Sequence, residues 1–239
     1  TQTGVKLEID TGMYWSFETD KLTQKEQYQD WAAAERQQAG LDMIEAIQTN
    51  FFQNLATNAD KAPHASNIGA TAGVVSGKYN LGTATAPVIL NPANIVGFLS
   101  RLSATLQEQK VPQNMIENLW VILPPEFKLL FSQSELTNAA FTGDTKNAML
   151  RRGAIGEING FTIYISNLLH KTTNANGDFI YYIPFGHTDA ITFCTQMLEF
   201  EIFPQVESGF SALFKGLQVW GFQPVRPEML GYAIATGQQ

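Results

Sequence analysis

The chain has a single cysteine, Cys194, among 239 residues, so no disulfide can form within it. Cys194 ends the apolar run Ile191-Thr192-Phe193-Cys194. A thiol there packs as a small hydrophobe and is poorly placed to react. Charge is also scarce: 15% of residues are charged, against roughly 25% in soluble globular domains. Lys and Arg together number 15 and are scattered. Their one adjacent pair, Arg151-Arg152, is too short to grip a phosphate backbone. That argues against tight or sequence-specific nucleic-acid binding. No uninterrupted apolar run reaches the length of a membrane-spanning helix. No secretory leader is recognisable, and a chain that opens at Thr1 beside a strand pattern is expected to have lost its beginning.

Chemical motifs are equally sparse. The three histidines, His64, His170 and His187, lie far apart and at no recognised metal spacing from Cys, Asp or Glu. There is no Gly-x-Ser-x-Gly elbow and no Walker loop. Ser76-Gly77-Lys78 lacks the upstream glycine and the strand-to-helix setting of a phosphate cradle. The glycines from Gly153 to Gly160 have the wrong spacing for a dinucleotide loop and precede a strand pattern, so they read as turn glycines feeding a hairpin. Glu199 and Glu201 share one strand face. That could make a general acid–base pair, but a solvated or inter-subunit strand face is the better account. No catalytic residue, metal or cofactor is assigned.

What the chain does have is apolar and aromatic mass: 44% hydrophobic residues, with 16 Phe, 7 Tyr and 4 Trp, at a net charge of −7. The length fits one large domain or two small ones. Low charge density with many aromatics suits a subunit whose surface is covered by neighbours in a permanent assembly. A globular enzyme with a large core is the competing account.

The periodicities predict an α+β fold. Val5-Lys6-Leu7-Glu8-Ile9 alternates as a strand, with a turn at Thr11-Gly12 and an aromatic run, Met13–Phe17, that can extend it. Thr23-Gln24-Lys25-Glu26 matches a capping box opening a helix of about nine turns. Its inner stripe is read as Leu41, Ile44, Ile47, Phe51 and Leu55. Gly40 lies in the middle and costs about 1 kcal/mol there relative to alanine, so it marks a kink, a break or a close contact. Residues 56–87 read as a long irregular connection that neighbouring subunits would cover. Asn91-Pro92 opens a second helix as N-cap and N1. Leu119 to Leu123 is a buried strand, and Pro124-Pro125-Glu126 opens a short helix. Strands follow at Gly160–Ile165, Phe179–Ile183, Ala190–Thr195 and Leu198–Ile202. Leu213–Val225 is read as the last strand.

The order of these segments resembles the major capsid proteins of tailed phages with the HK97-like fold. The long helix with Leu41-Asp42-x-Ile44 looks like that family's spine helix. Leu119-Trp120-Val121-Ile122-Leu123-Pro124-Pro125-Glu126-Phe127 is similar to its strand followed by a Pro-Pro-x-Phe helix. Gly153-x-x-Gly156-Glu157-Ile158-x-Gly160-Phe161-x-Ile163-Tyr164-x-Ser166-Asn167 resembles its run into a central strand. Gly216-Leu217-Gln218-Val219-Trp220-Gly221-Phe222, then Val225-Arg226-Pro227-Glu228, looks like its closing strand.

The resemblance implies a peripheral β-rich (P) domain, residues 1–87 and 189–239, holding the end of an E-loop at Val5–Ile9 and the spine helix. It implies a central axial (A) domain over 88–188. The implied partners are other copies of the chain, in hexamers and pentamers, with portal, scaffold or decoration proteins beside them. The shell would enclose double-stranded DNA without sequence-specific binding, would not involve a membrane, and would be assembled in the host cytoplasm as part of the virion. Gly40 becomes the candidate hinge of the spine helix. The rival readings are an encapsulin-like compartment, an unrelated α+β enzyme using Glu199 or Glu201, and a tail or adaptor protein.

Overall fold

The computed structural model describes residues 6–9, 11–20, 31–109, 118–134, 157–158, 160–174, 177–203 and 211–237. In chain order the elements are β1 (Thr11–Asp20), α1 (Trp31–Thr57), β2 (Val88–Leu90), α2 (Ile95–Glu108), β3 (Leu119–Leu123), α3 (Pro125–Gln133), β4 (Glu157–Ile158), β5 (Phe161–Ile165), β6 (Lys171–Thr173), β7 (Phe179–His187), β8 (Ile191–Phe203), β9 (Ser211–Pro224) and β10 (Leu230–Gly237). They form two compact units. One comprises Thr1–Asn50 with Thr192–Gln223, the other Phe51–Ile191 with Pro224–Gln239. The expected capping box lies outside the described residues, as does Gly153–Gly156.

The smaller unit is built on a three-stranded sheet of order β1-β9-β8. β1 and β9 pair antiparallel over ten residues, from Thr11↔Trp220 to Asp20↔Ser211. Alternation puts Trp15 and Phe17 on one face of β1. Phe17 stacks on Trp15 at 5.5 Å and on Phe214 at 4.9 Å between ring centres. The indole of Trp15 lies over Gly216, where a Cβ would come within 2.5 Å of it. This sheet corrects the sequence reading. Lys6–Ile9 is not a strand, and Thr11-Gly12 is not a turn but the start of β1. The alternation at Val5–Ile9 is real, but the ladder with β9 decides where the strand lies. Likewise Ala190–Thr195 and Leu198–Ile202 are one strand, β8, not two.

The larger unit holds a seven-stranded mixed sheet of order β2-β10-β7-β3-β5-β4, with β6 also on β7. β10 pairs antiparallel with β7 over six residues and parallel with β2. α2 carries Ile95, Phe98, Leu99, Leu102 and Leu106 on one buried face. α3 starts with Pro125 in its first turn and buries Phe127 and Phe131. These helices pack with Leu119, Val121, Leu123, Phe161, Ile183 and Phe185 of the sheet in one core. Each such side chain contributes about 1.5–3 kcal/mol when fully buried. Asn91 caps as expected, but one turn early. Its Oδ1 accepts from the N–H groups of Ala93 and Asn94, and regular helix begins at Ile95.

Two further expectations change. β10 was not foreseen, and it is the last described strand in place of β9. The compact units divide the chain after Asn50, Ile191 and Gln223, and β10 falls in the same unit as β7, its ladder partner. Residues 58–87 are irregular but built into their own unit. Ala72 and Leu81 are fully buried. Asn67, also buried, donates its amide to the carbonyls of Glu228 and Leu230 at 2.7 and 2.8 Å. Intramolecular contacts thus anchor the segment at a few buried points, and many of its other residues remain exposed.

Candidate functional site

Polar groups that could carry chemistry are dispersed through the fold. His64 caps a single 3-10 turn, its Nδ1 accepting from the Ser66 N–H at 3.3 Å. His170 lies against Tyr182, ring centres 4.8 Å apart, and burial lowers its pKa. His187 is buried at the end of β7, where its Nδ1 accepts from the Asp189 N–H at 3.1 Å. Among the described residues no group of three His, Cys, Asp or Glu is placed to hold a metal ion. Cys194 is partly buried on β8.

Glu199 and Glu201 do face one side, as alternation requires. They line a depression of about 330 Å³ with Tyr14, Lys215 and Leu217. Both carboxylates are exposed, as are Tyr14, Lys215 and Leu217. A general acid needs a desolvated carboxyl or a neighbouring charge that sets its proton affinity. An exposed pair beside a lysine has the character of a solvated strand face. The Nζ of Lys215 instead stands 5.1 Å from the Phe203 ring, a cation–π contact.

A cluster that the sequence did not reveal fastens one loop. Ala72 and Tyr79 bridge antiparallel, closing residues 73–78 into a tight turn. Glu108, in the last turn of α2, accepts from the backbone N–H groups of Val75 and Ser76 at 3.0 and 2.9 Å. The Ser76 N–H, foremost, holds the Glu108 carboxyl below its ordinary value of 4.5, with the Ser76 hydroxyl and the Val75 N–H adding to it and burial opposing it. A depressed folded-state pKa means that these bonds are fully made above about pH 4.5 and are lost as pH falls through the folded value. In unassembled protein, the amide resonances of Val75 and Ser76 should therefore move together on acidification, with a midpoint below that of a free glutamate. Glu108→Gln should remove that titration. A midpoint at or above 4.5 would contradict the assignment.

The most distinctive feature of the surface is apolar. Tyr14 is 76% exposed, and Leu41 and Ile44 on α1 are 54% and 53% exposed. These two helix residues were expected inside. Leu55 is buried as expected, Ile47 and Phe51 are half-buried, and the other buried residues among the described positions of α1 are Met43 and Phe52. Val75, at 79%, and Ile89, at 55%, add exposed apolar side chains in the larger unit. Single exposed apolar residues are ordinary, but several large ones on both units mark surfaces made to be covered.

No family model and no curated protein matches the chain. Solved structures do. A chain from Mycobacterium phage Che8 is similar over 96% of this chain and 72% of its own length, at 21% identity and a TM-score of 0.65. The capsid structure of the Cyanophage P-SCSP1u matches 100% of this chain and 78% of its own, at 14% identity and a TM-score of 0.64. The holo-SrpI encapsulin complex from Synechococcus elongatus matches 93% and 72%, at 10% identity and a TM-score of 0.56. The fold of this chain is therefore the HK97-like α+β capsid fold, with a long helix and a β-rich body, shared at only 10–21% sequence identity.

Proposed function

We propose that the chain is a major capsid subunit that assembles with copies of itself into the icosahedral shell of a tailed phage, around double-stranded DNA. The observation that carries this reading is the likeness of nearly the whole chain to phage capsid structures. Large apolar side chains left uncovered on both units support it. A shell subunit needs no catalytic centre; many modest contacts, repeated by symmetry, close the container. No helix of the described residues is long and apolar enough to cross a membrane. The net charge of −7 suits a wall that packaged DNA does not adhere to. Portal, scaffold or decoration proteins would join the virion, which would be assembled in the host cytoplasm.

In this reading α1 is the spine helix and the three-stranded unit is peripheral. The axial body, expected at 88–188, takes in β10 as well, since that strand completes its sheet. The encapsulin reading keeps the same subunit and changes the contents to cargo protein. Electron microscopy of the purified protein tests both. Closed icosahedral particles containing DNA support the phage shell, particles filled with protein support the encapsulin, and a stable monomer overturns both.

Gly40 is proposed as the hinge of the spine helix. α1 is unbroken across it, and a Cβ added there would meet nothing within 4 Å. Packing therefore gives no reason for a glycine at this position. Gly40→Ala should stabilise the helix by about 1 kcal/mol. It should also shift the temperature or pH at which precursor shells expand. Expansion indistinguishable from wild type, read by particle diameter, would remove the hinge.

A further inference from the structure

The larger unit carries an apolar projection at the C-terminal end of α2 and, elsewhere, a groove of mixed polar and apolar lining. The projection is the turn at 73–78, pinned from beneath by Glu108 at the C-terminal end of the helix. Its tip presents Val74 and Val75, 49% and 79% exposed, followed by an exposed Lys78. Because Glu108 and the Ala72–Tyr79 bridge already hold the backbone, little ordering entropy remains to oppose docking. The groove, of about 760 Å³, is lined from β2, the start of β7, the end of β10 and α3. Pro87, Ile89 and Phe179 line it, and Glu126 and Asp178 supply its carboxylates. Lys171 stands 4.6 Å from the Phe179 ring, so the rim carries two carboxylates and one ammonium.

We propose that the Val74-Val75 tip of one subunit docks in the groove of the next, with Lys78 facing Asp178 and Glu126. The apolar tip meets Pro87, Ile89 and Phe179, and the cation meets the carboxylates of the rim. The two surfaces are different patches of the same chain, which defines a head-to-tail contact. Repeated by rotation, such a contact closes a ring of subunits. This inference rests on the reading that the chain assembles, and it adds which residues meet.

The test compares full-length variants by sedimentation, measuring the concentration at which half the protein is assembled. Val75→Ser should raise that concentration about tenfold, because the loss recurs at every contact around the ring. Lys78→Glu and Asp178→Lys should each raise it by about the same factor. The double reversal should return it to within about threefold of wild type, since the pair regains attraction. Circular dichroism melts of the dissociated subunits separate an assembly defect from a folding defect. Val75 and Lys78 stand on an exposed tip, so their variants remain informative even if Asp178→Lys misfolds. Wild-type assembly by both tip variants overturns the proposal, as does a folded double reversal that assembles no better than the single ones. A wild-type protein that stays monomeric would overturn the shell function itself, and that outcome is distinct from either of these.

Discussion

Gly82→Ala is expected to remove about 4 kcal/mol of folding stability. Gly82 has φ +85°, and a Cβ there would come within 2.1 Å of the Ile234 carbonyl oxygen and 3.0 Å of the Val88 nitrogen. Both obstacles are backbone, in β10 and β2, so no rotamer change relieves them. The preceding residue is tied to the same strand, because the Ile234 N–H donates to the Leu81 carbonyl at 2.7 Å. Left-handed backbone costs a non-glycine residue about 1 kcal/mol by itself. The clash and the broken edge of the sheet raise the total to about 4 kcal/mol. Against a total stability of about 5–15 kcal/mol, that is a large share. Gly77→Ala is the control: φ is +57° there too, but an added Cβ meets open space. It should cost only about 1 kcal/mol. Denaturant midpoints for the two variants test the difference, and equal midpoints would show that the crowding at Gly82 is absorbed.

How much of this was legible in the residues depends on whether the deciding interaction was local. β3 and α3 were, because an unbroken apolar run meets two prolines and then Phe127, Leu130 and Phe131 at helical spacing. α2 was, because one face repeats its apolar residues every three or four positions. β10 was not. Leu230-Gly231-Tyr232-Ala233-Ile234-Ala235-Thr236-Gly237 has small residues where strands favour branched or aromatic ones, and its state is imposed by β7 on one side and β2 on the other. β1 lay a few residues from its expected place for the same reason: β9 sets its register, some 200 positions away. The fastening of the 73–78 loop by Glu108 joins residues 32 and 33 positions apart, and neither end carries a motif. Leu41 and Ile44 show the remaining limit. Periodicity finds apolar residues that must be covered, but it does not say whether the same chain or another copy covers them.

That ambiguity becomes a measurable split between folding and assembly. Leu41→Lys with Ile44→Lys should leave the isolated subunit as stable as wild type and abolish shells. Both side chains are more than half exposed, and lysine matches leucine in helix propensity. A lysine at position 41 would also stand four residues from Glu45, a favourable spacing for an ion pair. The melting free energy should therefore change by no more than about 0.5 kcal/mol. Assembly faces a different balance. Covering the exposed half of a leucine or isoleucine contributes about 1 kcal/mol per residue. Burying an unpaired ammonium in the same contact costs at least as much again. The penalty of a few kcal/mol per subunit recurs at every position of the shell, so a modest local loss becomes failure of closure. If sedimentation shows shells of these variants at wild-type concentrations, α1 faces solvent in the particle and the spine-helix assignment falls. If the variants instead unfold, Leu41 and Ile44 belong to the subunit's own core. Folded subunits that no longer close into particles are the outcome that places this helix face at a contact between copies.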